Sequence, residues 1–176
     1  APGPRRLSVV QGAGGAITAE LAAAEPAGGV LSGPAGGVVG AARAAREAGL
    51  GPIVTLDMGG TSTDVAFHDP ASGLGGSTGR ANVAGHPVGL PTLDVHTIGC
   101  GGGSLITLDS AGVLQVGPES AGAEPGPICF GSGTQPTLTD ALCLLGRLGG
   151  GRFLGGAMDL QRGPVEEAFA RLGERL

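Results

Sequence analysis

Lysine is absent from these 176 residues, and all ten basic positions are arginine. A Walker-type P-loop places a lysine on the nucleotide phosphates, so that architecture is excluded. Basic clustering is missing as well. The arginines are scattered along a chain of net charge -5, whereas a nucleic-acid surface needs a concentrated basic face. The same argument disfavours an anionic membrane surface. Cysteine is scarce: Cys100, Cys129 and Cys143 are odd in number and lack the paired spacing of a zinc site, so they read as free thiols in a reducing cytoplasm. No stretch approaches the roughly 18 apolar residues of a membrane span, and the start does not resemble a signal peptide. An initiator methionine is also lacking, and a chain that opens Ala-Pro-Gly-Pro reads as a processed or truncated piece of a longer protein.

Glycine and proline are abundant, with 38 and 13 copies, a level often met in disordered chains. Disorder is rejected because apolar residues make up 41% and charged residues only 14%, the reverse of a disordered composition. The length suits one domain with one core. The glycines are then expected in tight turns and where backbone approaches a ligand.

Along the chain, Leu7 to Val10 reads as a strand ending in the turn 11–15, and residues 16–24 as a short alanine-rich helix. Val38 to Leu50 has helical spacing, with Gly51-Pro52 as its stop. Ile53 to Leu56 and Thr63 to Phe67 read as the strands of a β-hairpin around a tight turn, Asp57 to Ser62. Residues 68–92 read as a surface excursion. Leu93 to Ile98 and Ser104 to Leu108 read as strands, Val113 to Val116 as a hairpin partner and 117–136 as loop. Thr139-Asp140 opens a helix ended by Gly149-Gly150-Gly151, and Pro164 opens a last amphipathic helix with Val165, Ala168, Phe169 and Leu172 inward.

The strongest chemical signal is Ile53-Val-Thr-Leu-Asp57-Met-Gly59-Gly60-Thr61-Ser62-Thr63-Asp64-Val65. A strand delivers a carboxylate to its end, glycines bend the backbone, and hydroxyls sit beside exposed N–H groups, as a phosphate cradle requires. Asp57 suits Mg²⁺, which keeps several waters while binding one or two carboxylates. A plain hairpin turn is the competing reading. Asp94 and His96 lie two apart in the next strand and so share a face, placed for a substrate or metal, although an ordinary hydrogen-bonded histidine is equally open. The glycine run Gly101-Gly102-Gly103-Ser104 either admits a nucleotide or bends the chain. Asp140 is either a first-turn helix acid or a ligand-facing group.

Five strings occur in one order: Leu31 to Ala41, Asp57 to Val65, Asp94 to Ser104, Val116 to Pro127 and Pro136 to Ala141. That series resembles the hydantoinase A/oxoprolinase family over nearly the whole chain, with Cys100 where alanine is usual and Phe130 where tyrosine is common. The resemblance implies an α/β fold of the actin-like ATPase (ribonuclease H-like) class, present here as one half or a partial core with β-hairpins and packed helices. It implies that residues 1–176 form a hydantoinase A-type nucleotide-binding domain without the enzyme's N-terminal half. It further implies ATP and Mg²⁺ as cofactors and an ATP-dependent opening of cyclic amides, hydantoin or 5-oxoproline, by phosphoryl activation of the carbonyl. A hydantoinase B-type subunit or domain is the implied partner. By the same resemblance, Asp57, His96 and Asp94 are catalytic, with Asp57 on the metal, and Gly59, Gly60, Thr61, Ser62, Thr63, Asp64, Gly101, Gly102, Gly103, Ser104 and Asp140 hold the nucleotide. A non-catalytic fragment, a small-molecule kinase and a ketone carboxylase subunit are the alternatives.

Overall fold

The computed structural model describes residues 6–72, 81–83, 85–148 and 153–176. They form two compact units, one of residues up to Asp57 with Asp64–Thr97, the other of Met58–Thr63 with Ile98–Leu176. Two cores therefore replace the single core expected from length. The expected helix terminator Gly149-Gly150-Gly151 and part of the expected excursion, 73–80 and 84, lie outside the described residues.

In the first unit, β1 (Ser8–Val10) pairs antiparallel with β2 (Ala16–Thr18). The helix expected from residue 16 is thus a strand for its first three residues, because Ile17 is β-branched and lies opposite Val9. Helix α1 (Ala19–Ala24) begins once the Thr18 hydroxyl accepts from Leu21 N–H at 3.3 Å, a side-chain cap. Helix α2 (Ser32–Glu47) starts well before Val38, taking in Gly33 to Gly37. Pro34 causes no break there, since the first-turn N–H groups have no helical partner to lose. Ala35 and Val38 on its inner face pack with Ala66 and Leu93 into the unit's core.

Those residues set α2 against a sheet of order β3-β4-β7, with β3 Ile53–Met58, β4 Thr63–His68 and β7 His96–Ile98. Strand β7 is shorter than expected because Leu93 is buried in the core and donates its N–H to Gly12 O at 2.9 Å. Residues two apart in a strand share a face. Asp57 and Ala66 face α2, so Val54, Leu56 and Phe67 point the other way, and they stay 66%, 67% and 61% exposed. Within the excursion, β5 (Ala81–Val83) and β6 (His86–Val88) form an antiparallel pair.

In the second unit, β8 (Ser104–Leu108) and β9 (Leu114–Ser120) pair antiparallel, with β9 running four residues beyond the expected Val116. Asp109 closes their turn by accepting from Ala111 and Val113 N–H at 2.8 and 2.9 Å, and the Val113 donation foremost holds its carboxyl below the usual range. Helix α3 (Leu138–Leu144) is capped by Thr137 rather than opened at Thr139-Asp140, which places Asp140 inside its first turn. Helix α4 (Arg162–Gly173) begins two residues before Pro164 and buries Val165, Ala168 and Leu172 as the periodicity predicts. A short 3-10 turn, Ile128–Phe130, joins α3 and α4 around Cys129, Cys143 and Val165. Fully burying a side chain such as Val165 contributes about 1.5–3 kcal/mol, so this cluster anchors a segment the sequence suggested was open loop.

All three cysteines are free. Burial, followed by the neighbouring Asp140 carboxylate, pushes the Cys129 thiol far above its usual range. A raised folded-state value makes the neutral thiol stabilising below the unfolded value of about 8.5, and this contribution is lost as the pH rises above it. Only a thiolate alkylates readily. Iodoacetamide at pH 8 is therefore expected to label half-buried Cys100 first, with Cys129 and Cys143 protected until denaturant is added, as peptide mass mapping will show.

Candidate functional site

The segment Met58–Thr63 turns back on itself, with Gly59 N–H donating to Ser62 O at 2.8 Å. Its next two carbonyls are fixed from one side: Gly59 O accepts from Gly102 N–H at 2.9 Å and Gly60 O from Gly103 N–H at 2.6 Å. In a planar trans peptide the C=O and the following N–H point in opposite directions. The Gly60 and Thr61 N–H groups are therefore driven away from the glycine run. No acceptor for the N–H of Gly60, Thr61 or Ser62 is found among the described residues, nor any partner for the Thr61 and Ser62 hydroxyls. Gly59, Gly60 and Thr61 are exposed, and with Met58 they border a cavity of about 540 Å³. Adjacent unpaired N–H groups around a glycine bend form an anion-binding concavity.

The glycine run plays a different part from the one expected of it. All four N–H groups of 101–104 are engaged within the chain: Gly101 on Ser104 Oγ, Gly102 and Gly103 on the bend, and Ser104 on Gly101 O. Backbone lies directly on backbone here. A Cβ on Gly101 would stand 2.6 Å from Ser62 N, and one on Gly103 would stand 2.9 Å from Gly60 O, distances no side chain tolerates. Thr63 is buried, with its hydroxyl donating to Cys100 O, and so braces the same junction. Gly101, Ser104 and Thr63, expected at the nucleotide, have these polar groups engaged within the chain and brace the bend from beneath. Only Gly102 and Gly103 of the run reach the cavity.

Asp140, also expected at the nucleotide, likewise turns its polar atoms inward. It is fully buried, and its carboxylate accepts from Cys129 N–H at 2.7 Å, Ile128 N–H at 3.2 Å, and Thr137 N–H and hydroxyl at 2.9 and 2.7 Å. With Thr137 it makes a reciprocal capping box. Both oxygens are thus engaged within the protein. Its neighbour Thr139 does reach the cavity, anchored by its N–H on Gly102 O at 2.7 Å.

In the first unit, Asp57 and Asp64 border one cavity of about 590 Å³ between α2 and β3, otherwise lined by apolar residues such as Val38, Ala41 and Ile53. Asp64 accepts from the Thr97 hydroxyl at 2.6 Å, while Asp57 has no hydrogen-bond partner among the described residues. No group of three or more His, Cys, Asp or Glu residues able to hold a metal is found among the described residues. The two carboxylates on one cavity are a donor set of the kind Mg²⁺ accepts, its remaining positions going to water and phosphate. Asp94 and His96 are both exposed, but Asp94 precedes β7 and no hydrogen bond joins the two among the described residues.

The family model described as hydantoinase/oxoprolinase matches residues 3–176. The chain belongs to the hydantoinase/oxoprolinase family. Caprolactamase subunit alpha of Pseudomonas jessenii is 41% identical over 144 residues, covering 80% of this chain and 20% of that protein. The 5-oxoprolinase PfmaA of Pestalotiopsis fici is 42% identical over 146 residues, covering 82% of this chain and 11% of that protein. A nucleotide-free structure of acetone carboxylase, described as acting by ATP-dependent acetone carboxylation, superposes with a TM-score of 0.73 at 33% identity over 94% of this chain and 23% of that one. The chain therefore spans about a quarter or less of these relatives. Its fold is the family's actin-like ATPase fold in partial form.

Within this family member, the cavity beside the bend also has an apolar wall of Pro127, Phe130 and Leu142, which the sequence reading left in loop and helix. The Pro125-Gly126-Pro127 stretch is the one local signal that a rigid wall stands there. Two substitutions test the backbone junction. Gly101→Ala is expected to cost several kcal/mol, about what overpacking a tight site costs at its upper end, whereas Gly99→Ala, with open space around it, should cost under about 1 kcal/mol. Urea titration separates them. Asp140→Ala should cost about 3 kcal/mol, because buried donors lose a charged acceptor, and should lower the melting temperature by about 6–12 °C in calorimetry.

Proposed function

We propose that this chain is the phosphate-handling part of an ATP-dependent enzyme that opens cyclic amides of the hydantoin or 5-oxoproline type. The outward N–H groups of Gly60 and Thr61 carry the reading, joined by the free hydroxyls of Thr61 and Ser62. They offer fixed dipoles to a phosphoryl group, and phosphoryl transfer is catalysed chiefly by positioning and charge stabilisation. Asp57 would hold Mg²⁺ through water, with Asp64 the second carboxylate on its cavity, and the ion would supply charge neutralisation to a phosphoryl group. Residues 1–176 serve as the nucleotide-binding portion, with the first phosphate loop and a B-type partner supplied by polypeptide outside them. The relatives' greater length supports this division.

The chemistry follows from an amide's inertness. Its carbonyl oxygen attacks the γ-phosphorus, the bond to ADP breaks, and the carbon bearing the new phosphate ester becomes electrophilic. Water adds there with loss of a proton, the ring C–N bond breaks as nitrogen gains a proton, and a second water cleaves the resulting acyl phosphate to acid and phosphate. The sum is cyclic amide, ATP and two waters giving ring-opened acid, ADP and phosphate. His96 and Asp94 are the exposed groups proposed to move those protons. A second reading, ketone carboxylation through the same activated oxygen, draws on the likeness to acetone carboxylase.

The full-length enzyme with its native neighbours is the material for the test. ADP release is measured with hydantoin, 5-oxoproline, or acetone plus bicarbonate, and products are identified by mass. Stimulation by a cyclic amide with ring-opened product is expected, and Asp57→Ala should reduce the rate about 100-fold or more. An Asp57→Ala rate within twofold of the parent would falsify its role. Carboxylated ketone with no ring-opened acid would move the assignment to the second reading. Calorimetry of Mg-ATP with residues 1–176 addresses the inert-fragment alternative, which predicts no heat.

A further inference from the structure

The second unit holds another concavity that the proposed chemistry does not use. It measures about 500 Å³, lies between β8 and the end of α4, and shares no lining residue with the cavity beside the bend. Its floor is apolar, formed by the buried Ile106, Ala168 and Leu172. Its rim carries Arg171 and Arg175, with Thr134 and Gln135 opposite. No acidic residue lines it, in a chain whose net charge is -5.

Neither arginine on this rim is held by a close ion pair among the described residues, and neither is Arg46 on α2. Arg43 and Arg162 are held by glutamates one turn away, at 2.8 and 2.7 Å. Arg171 reaches Glu167 only at 3.9 Å, too long for a hydrogen bond, and Arg175 has no ion-pair partner among the described residues. Arginine at a helix C-terminus also complements the helix dipole, which accounts for charge there but not for a concave apolar floor beneath it. Volumes of about 300–1,000 Å³ with apolar linings and a few converging polar groups are those of small-molecule sites. Guanidinium groups in particular match the paired oxygens of carboxylate and phosphate.

We propose that this cavity binds a small organic anion, a phosphate monoester or carboxylate with an apolar body, whose charged group sits between Arg171 and Arg175 and whose body lies on Ile106 and Leu172. The site is independent of the ATP reading. Phenyl phosphate and inorganic phosphate are the probes, titrated into the 176-residue chain while NMR follows the arginine Nε–Hε signals and the Ile106 and Leu172 methyls. Saturable shifts confined to Arg171, Arg175 and those methyls are expected, with inorganic phosphate binding about fivefold weaker for want of the apolar contact. Arg171→Gln with Arg175→Gln should weaken phenyl phosphate about tenfold or more, and Glu167→Gln, which frees Arg171, should tighten it about twofold. Linear shifts spread equally over Arg43 and Arg162, or an unchanged curve in the double variant, would overturn the site. Equal affinity for the two probes would overturn the apolar half of the proposal. A lower melting temperature in the double variant with no change in binding would leave only the dipole role and defeat the proposal as well.

Discussion

Two hydrogen bonds, from Gly102 and Gly103 N–H to the carbonyls of Gly59 and Gly60, orient everything else at the candidate site. A peptide plane has no freedom to aim its two polar ends separately, so fixing the carbonyls decides where the following amides point. The glycines on both sides are required because the two backbones approach more closely than any Cβ allows. Thr63 from below and Thr139 from the side complete the brace through Cys100 O and Gly102 O. Asp140 acts one step further out, holding the Ile128–Phe130 turn against α3 so that Phe130 and Thr139 stand where they do. The site's polar surface is thus largely main chain, braced by buried side chains beneath it.

Local chemistry was legible in the sequence to the extent that it was local. The hairpin strands around Asp57 to Ser62, the amphipathic face of α4 and the glycine bend itself follow from periodicity and turn residues, and the structure has them. The family was readable from five ordered strings, which the match over residues 3–176 bears out. What was not legible is which glycines serve the ligand and which serve the backbone. Gly60 and Gly101 carry the same letter, yet one leaves its N–H free and the other closes on Ser104, a distinction set by tertiary contacts 40 residues apart in the chain. Asp140 shows the same limit. A first-turn acid is recognisable from sequence, but its burial depends on Ile128 and Cys129, which no periodicity announces.

Strand β3 carries Ile53 on the face toward α2 and Val54 and Leu56 on the other. Val54 and Leu56 remain two-thirds exposed there. Strands apolar on both sides belong to sheets enclosed on both sides. This matches a chain that spans about a quarter or less of its relatives, in which much additional polypeptide exists to supply such a layer.

Because the bend presents peptide amides in place of lysine, its attraction for an anion has no ionisation state of its own. An amide N–H neither gains nor loses a proton anywhere in the range in which proteins stay folded, so acidity acts on such a cradle only through the guest. A phosphate ester whose second proton leaves near pH 6 would grip more tightly above that point and less tightly below it, while the host stays the same. At the bend itself, lysine-free construction thus leaves the anionic guest proposed above as the pH-responsive partner.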